Sequence, residues 1–267
     1  MEENKSLHPC FNKDSVGKVA RIHLPLIKNC NIQCNYCNRN YSCPNENRPG
    51  VTSQLITPND VYSLLKENLE LYPSLKIVGI AGPGEAFAEP EIVYQSLKIV
   101  RNHFPDMKLC LSTNGLAVID NIDLIKELNI DYITVTVNTL NPVTASKIYH
   151  TDIETLLNKQ QNGLKELVKA DITTKVNSVV IPEINMEDVI DVARFAGKIG
   201  IFAQNLISFY PVKGSLFENL REPSKEEMDK LRFECSGYIK QITHCKRCRS
   251  DVVGNLSDDR KISFNKC

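Results

Sequence analysis

The 267-residue sequence lacks any surplus of charge, with 32 Lys and Arg set against 32 Asp and Glu. A balanced chain has no global field to gather nucleic acid or an acidic membrane surface. It opens without a basic region followed by an apolar run, so no signal peptide is legible. No stretch approaches the ~18 uninterrupted apolar residues of a membrane span. Internal repeats and low-complexity tracts are absent too. These absences predict a cytoplasmic protein with no nucleic-acid and no membrane partner. The length suits one large α/β domain or two small ones. A composition of 42% hydrophobic and 24% charged residues is ordinary for a globular fold.

Cysteine, by contrast, is abundant, at ten residues. A reducing cytosol disfavours disulfides. Cys30, Cys34, Cys37 and Cys43 fall in one short stretch, and Cys245 and Cys248 form a C-x-x-C pair. That clustering points to metal rather than to structural bridges.

Apolar runs predict six strands, over 19–27, 75–80, 107–112, 131–137, 173–181 and 202–209. Helical patterns fill the gaps. One opens at Thr57 with Pro58 at its first position and Asp60 at its positive end, and its apolar face carries Val61, Leu64, Leu65, Leu69 and Tyr72. Another repeats Ile122, Ile125 and Leu128, and a third repeats Val189, Val192, Ala193, Ala196 and Ile199. A late helix starts at Ser224, with Glu227 completing a capping box. Strands alternating with helices imply parallel strands and right-handed crossovers. The expected fold is α/β, a partial (β/α)6 barrel resembling an incomplete TIM barrel over 19–210. An N-terminal extension (1–18) and a C-terminal helix with the Cys-x-x-Cys segment (211–267) flank it. Reactive groups then gather at the C-terminal ends of the strands.

Cys30-Asn-Ile-Gln-Cys34-Asn-Tyr-Cys37 follows the first strand directly. Thiolates are soft ligands that hold iron–sulfur clusters. Three of them leave one iron of a [4Fe–4S] cluster open to chelate the amino and carboxylate groups of a methionine moiety. A closed zinc knot or an electron-transfer cluster is the plainer alternative. The C-x-x-x-C-x-x-C spacing at the end of a first barrel strand resembles the radical S-adenosylmethionine (SAM) superfamily. Ala81-Gly82-Pro83-Gly84-Glu85 is similar to that superfamily's glycine-rich turn, with Glu85 placed to accept from the SAM ammonium. Pro83 interrupts the usual glycine run. Thr113 and Asn114 end the third strand and Asn138 ends the fourth, while Asn177, Ser178 and Ile181 resemble a ribose and adenine shelf. Tyr36 is either a wall for adenine or core.

His8-Pro9-Cys10-Phe11-Asn12, the cluster loop through Cys43, Glu46 and Ser53, and His244-Cys245-Lys246-Arg247-Cys248-Arg249 together resemble the NifB family of nitrogenase cofactor-assembly proteins. The resemblance spans essentially the whole chain, with small departures at Ser250 and Val252. It implies a SAM-binding [4Fe–4S] cluster on Cys30, Cys34 and Cys37, and two further [4Fe–4S] clusters as substrates. These are fused, with a carbide drawn from a SAM methyl group and an extra sulfur, into an eight-iron cofactor core. One SAM methylates a cluster sulfide, and a second yields a 5′-deoxyadenosyl radical that abstracts hydrogen from that methyl. The resemblance also implies six substrate-cluster ligands, grouped as Cys10, His23 and Cys110 on one and Cys43, Cys245 and Cys248 on the other. A lone His in a strand is otherwise usually a hydrogen-bonded structural residue, and an isolated strand Cys such as Cys110 is usually core. Glu46 is a candidate iron ligand or proton relay, with a solvated carboxylate as the plain reading. Cys235 reads as core and Cys267 as an incidental thiol. The implied partners are an iron–sulfur cluster donor, an electron donor, and a carrier or acceptor for the product. The chain resembles the family's shorter form, without the fused product-binding domain. Another radical SAM enzyme with auxiliary clusters and a non-catalytic iron–sulfur scaffold are the competing readings.

Overall fold

The structure, a computed structural model, describes residues 7–256 and 258–262, so Cys267 lies outside the described residues. Its strands are β1 (Ala20–His23), β2 (Gln33–Cys34), β3 (Leu75–Ile80), β4 (Lys108–Thr113), β5 (Tyr132–Thr136), β6 (Tyr149–His150), β7 (Thr173–Val180), β8 (Ala203–Ser208), β9 (Val252–Asn255) and β10 (Asp258–Lys261). The helices are α1 (Val61–Leu71), α2 (Pro90–His103), α3 (Ile122–Glu127), α4 (Pro142–Ile148), α5 (Ile153–Lys169), α6 (Asp188–Ile199) and α7 (Lys225–Ser236).

The main sheet runs β10-β9-β1-β3-β4-β5-β7-β8, and the six strands from β1 to β8 are parallel. This is the partial (β/α)6 barrel. β1 is shorter than the expected 19–27. Leu24 still donates its N–H to Gly79 O at 2.8 Å, but Pro25 has no N–H to continue the ladder. The helices pack outside the sheet. Val61, Leu64 and Leu65 of α1 and Val189, Val192, Ala193 and Ala196 of α6 are buried. Each such Val or Leu contributes roughly 1.5–3 kcal/mol of hydrophobic stabilisation. The Asp60 carboxylate accepts from both the N–H and the hydroxyl of Thr57, each at 2.7 Å, at the start of the first helical segment. Ser224 and Glu227 form the reciprocal box before α7. Cys235 is fully buried in the core.

The C-terminal segment does not merely flank the barrel. Gln241 bridges Gln204 on β8, the far edge strand. Residues Val253 and Gly254 then pair antiparallel with Ile22 and Arg21 of β1, the other edge. The segment therefore spans the open seam from last parallel strand to first, carrying Cys245 and Cys248 across it. Pairing both edges also removes exposed ladder groups that would invite another chain. The N-terminal segment packs at the opposite end from the cluster loop, with Phe11 buried beside Ile77, Cys110 and Tyr132. Among the described residues no helix is long and apolar enough to cross a membrane.

Candidate functional site

Two cavities lie inside the barrel, one above the other. Inward side chains of a strand recur every second residue, and the two levels follow that period. Ser112 and Thr136 at the C-terminal ends of β4 and β5 line a mouth cavity, with Thr113 beside them at the end of β4. Cys110 and Thr134 on the same strands line an inner cavity, with Ser112 shared between the two.

The mouth cavity is walled by the cluster loop. Cys30, Cys34 and Cys37 face it together with Tyr36, Arg39 and Cys43. The loop is held by its own groups: Gln33 Nε2 donates to the carbonyls of Cys34 (2.8 Å) and Cys37 (3.1 Å), and Cys37 N–H donates to Cys34 O at 3.0 Å. The Gly82–Glu85 turn clamps it from the side, with Gly84 N–H on Ile27 O at 2.7 Å and Glu85 N–H on Asn29 O at 2.8 Å. A side chain at Gly84 would lie 2.1 Å from Asn29 O, so only glycine permits this approach. The peptide bond between Gly82 and Pro83 is cis.

Glu85 is buried, and its carboxylate is largely committed. Oε1 accepts from Thr113 Oγ1 (2.6 Å) and Phe87 N–H (3.2 Å), and Oε2 accepts from Asn114 N–H (2.7 Å). Two lone pairs per oxygen leave capacity on Oε2 for one more donor. Burial raises the Glu85 carboxyl above its ordinary range, against the pull of these donors. Asn114 Nδ2 reaches Cys30 Sγ at 3.8 Å. Burial pushes the Cys34 thiol well above its ordinary value and Cys37 up to about 11. Both thiols therefore favour the protonated form, and loading soft metal there releases protons. Arg39 stands beside Cys30, Cys37 and Cys43 as a counter-charge. Sulfur donors on one wall, with a cation behind them, fit an iron–sulfur cluster. Among the described residues no three His, Cys, Asp or Glu side chains crowd together closely enough to hold a single metal ion. A polynuclear cluster draws each thiolate to a different iron.

The inner cavity collects Cys10, His23, Cys110, Cys245 and Cys248 from four separate segments. Arg21, fully buried on β1, donates from Nη2 to Cys248 Sγ at 3.1 Å, and the Cys10 thiol hydrogen-bonds the same sulfur. The Cys10 bond, and the Arg21 guanidinium beside it, lower Cys248 below the ordinary thiol range, while that bond and burial raise Cys10. Burial pushes Cys110 up to about 12. Gly79 makes room for two of the donors: a side chain there would lie 3.0 Å from His23 Cδ2 and 3.7 Å from Cys110 Cβ. Lys175 is buried in the same wall, where burial opposes its charge and the neighbouring Glu46 carboxylate favours it.

Glu46 lines both cavities, as does Asn45. It is half-buried: desolvation raises its carboxyl to about 7, and Asn177 Nδ2 donates to it at 2.9 Å. The segment bearing it is pinned to the tail, with Arg48 N–H on Cys248 O at 3.0 Å and Arg48 Nε on Arg247 O at 3.1 Å.

The expected site residues divide as follows. Tyr36, Glu85, Thr113 and Asn114 join the three cysteines at the mouth, and Asn177 lies at the inner level. Gly82, Asn138, Ser178 and Ile181 are buried behind these walls. Asn138 Nδ2 donates to Tyr36 Oη at 2.8 Å and its Oδ1 accepts from Val179 N–H at 2.8 Å, so its amide latches the wall. Ser178 Oγ donates to Val137 O at 2.7 Å. Cys43 faces the mouth cavity, whereas Cys248 meets Cys10, so the side chains do not reproduce the expected grouping of Cys43 with Cys245 and Cys248. Arg39, Gly79 and Lys175 escaped the sequence reading, whereas Gly84 was read as part of the glycine-rich turn without its packing role.

A profile of the radical SAM superfamily matches residues 24–196. The curated relatives include "FeMo cofactor biosynthesis protein NifB" of Methanocaldococcus jannaschii, 40% identical over 96% of this chain and 88% of its own length. The same-named protein of Chlorobaculum tepidum is 39% identical over 97% of this chain and 64% of its own length, and that of Bradyrhizobium diazoefficiens is 39% identical over 96% and 55%. The chain thus spans little more than half the length of several longer relatives. Among solved structures, a radical SAM methyltransferase from Sphaerobacter thermophilus matches with a TM-score of 0.60 at 15% identity, covering 84% of this chain and 64% of that one. Streptococcus suis SuiB bound to S-adenosylmethionine matches with a TM-score of 0.61 at 14% identity, covering 82% and 50%. These two likenesses are of fold.

Proposed function

Since the chain belongs to the radical SAM superfamily and, within it, to the NifB family, we propose that it acts in nitrogenase cofactor biosynthesis as a carbide-inserting maturase. In this reading two [4Fe–4S] substrate clusters are fused into an eight-iron core with a carbide from a SAM methyl group and an added sulfur. The observation that carries it is the stacking of two sulfur-lined cavities in one barrel with Glu46 in the wall between them.

Cys30, Cys34 and Cys37 hold the resident cluster. When bound, that cluster supplies the electron that cleaves a sulfonium C–S bond of SAM. The remaining acceptor capacity of Glu85 Oε2 takes the SAM ammonium, and Thr113, Asn114 and Tyr36 complete the polar and aromatic walls of that pocket. Gly82, Asn138, Ser178 and Ile181 support the ribose and adenine from behind. Cys10, His23, Cys110, Cys245 and Cys248 hold the substrate clusters, with Cys43 delivering a sixth ligand from the mouth. His23 suits this role through its tautomer. Nδ1 lies 3.0 Å from Arg249 O, a group that only accepts, so Nδ1 carries the hydrogen and the lone pair is on Nε2. Glu46, near neutral pKa and between the levels, is placed to bind iron or move a proton. An iron–sulfur cluster donor, an electron donor and a product acceptor are the partners this reaction requires.

Anaerobic reconstitution with iron and sulfide, followed by SAM and reductant, tests the reading. About twelve irons per chain are expected, four for each of three cubanes, with both 5′-deoxyadenosine and S-adenosylhomocysteine formed. About four irons and deoxyadenosine alone would leave radical SAM chemistry and remove carbide insertion.

A further inference from the structure

We propose that His8 is a hydrogen-bond donor to the iron–sulfur substrate held in the inner cavity, through Nε2–H and not as an iron ligand. The inference rests on the reading that this cavity takes such a substrate. His8 is 1% exposed and lines the inner cavity. Cys10 N–H donates to its Nδ1 at 3.1 Å. A nitrogen that accepts a hydrogen bond carries no hydrogen, so the ring's hydrogen is on Nε2. That buried N–H finds no hydrogen-bond partner among the described residues. The ring is also held in place, edge-on to Phe11 at 5.1 Å and to Tyr132 at 4.8 Å between centroids. A fixed, buried, unmatched donor calls for an acceptor supplied from outside the protein.

The two histidines of this cavity are therefore set in opposite senses. His23 gives its Nδ1 hydrogen to the Arg249 carbonyl, which puts the lone pair on Nε2. His8 takes a backbone hydrogen on Nδ1 and turns an N–H outward. The first suits iron. The second suits the acceptors that an iron–sulfur cluster offers, its sulfides and its thiolate sulfurs. Cys10 is two residues away, so the same short turn presents both a sulfur ligand and the donor that steadies charge on sulfur. Hydrogen bonds to cluster sulfurs raise the reduction potential, because they stabilise the extra electron of the reduced state.

The test uses the full chain carrying Cys30→Ala, Cys34→Ala and Cys37→Ala, so that only inner-cavity iron reports. It is reconstituted anaerobically, its iron is counted, and its midpoint potential is read by redox titration followed by electron paramagnetic resonance. His8→Phe, which keeps the ring's bulk, and His8→Gln, which restores an N–H donor, are compared with this parent. Unchanged iron, a lower midpoint in His8→Phe and recovery of part of that shift in His8→Gln are expected. An unchanged midpoint in His8→Phe with iron retained would overturn the donor role and leave the ring as packing. Loss of iron in His8→Phe that His8→Gln fails to restore would overturn it in favour of ligation. A parent that takes up no iron would instead overturn the inner-cavity reading itself.

Discussion

The mouth and inner cavities share a wall, yet they are built in different ways. The mouth takes three sulfurs from eight consecutive residues, 30–37, and a fourth, Cys43, from the loop that follows, clamped by one turn, 82–85. The inner cavity draws one donor each from an N-terminal turn, from β1 and from β4, and two from a tail that crosses the barrel seam. A contiguous loop fixes its donors by local geometry. A dispersed set depends on the whole topology, and on the glycine and cation that make space and balance charge around it.

The difference predicts that the two can be emptied separately. Cys34→Ala should bring deoxyadenosine formation to background while iron falls only from about twelve to about eight per chain; loss of the inner iron as well would mean that the cavities are one unit. Cys248→Ala should do the converse, keeping deoxyadenosine and ending S-adenosylhomocysteine formation. It also leaves the buried Arg21 guanidinium without its sulfur acceptor, at a cost of about 1–3 kcal/mol, read by denaturant unfolding of the metal-free chain. Asn138→Ala removes the latch between Tyr36 and Val179 and should cost about 1–3 kcal/mol, with SAM affinity falling less than in Glu85→Gln. A larger affinity loss in Asn138→Ala would make Asn138 a direct SAM contact. Gly79→Ala presses on His23 at 3.0 Å and should cost about 1 kcal/mol, lowering inner iron content while leaving the mouth cluster intact. An equal loss at both levels would show that β3 transmits the strain.

The same contrast governs what was legible in the sequence. Six parallel strands and the α1 and α7 starts follow from apolar runs and capping residues, signals carried by near neighbours. The mouth cavity was legible for the same reason, since Cys30, Cys34 and Cys37 announce themselves by spacing. For the inner cavity, Cys110 and His23 look like ordinary strand residues, and only resemblance to a family brought them forward. Lys175 and Gly79 gave no signal at all, because their roles exist only after β7 and β3 are set beside the N-terminal turn and β1. β9 was missed because four residues after a metal-binding pattern carry no readable alternation. The latch role of Asn138 was missed because a polar residue at a strand end reads the same whether it faces a ligand or the wall behind it.

The most direct test of the central claim, that one barrel holds a resident cluster above a separate iron–sulfur substrate chamber, is iron-edge anomalous diffraction from anaerobically loaded crystals. The account predicts one iron peak within reach of Cys30, Cys34 and Cys37, and separate iron density among Cys10, His23, Cys110, Cys245 and Cys248. Iron confined to the first position, in crystals with the inner cavity otherwise intact, would contradict it.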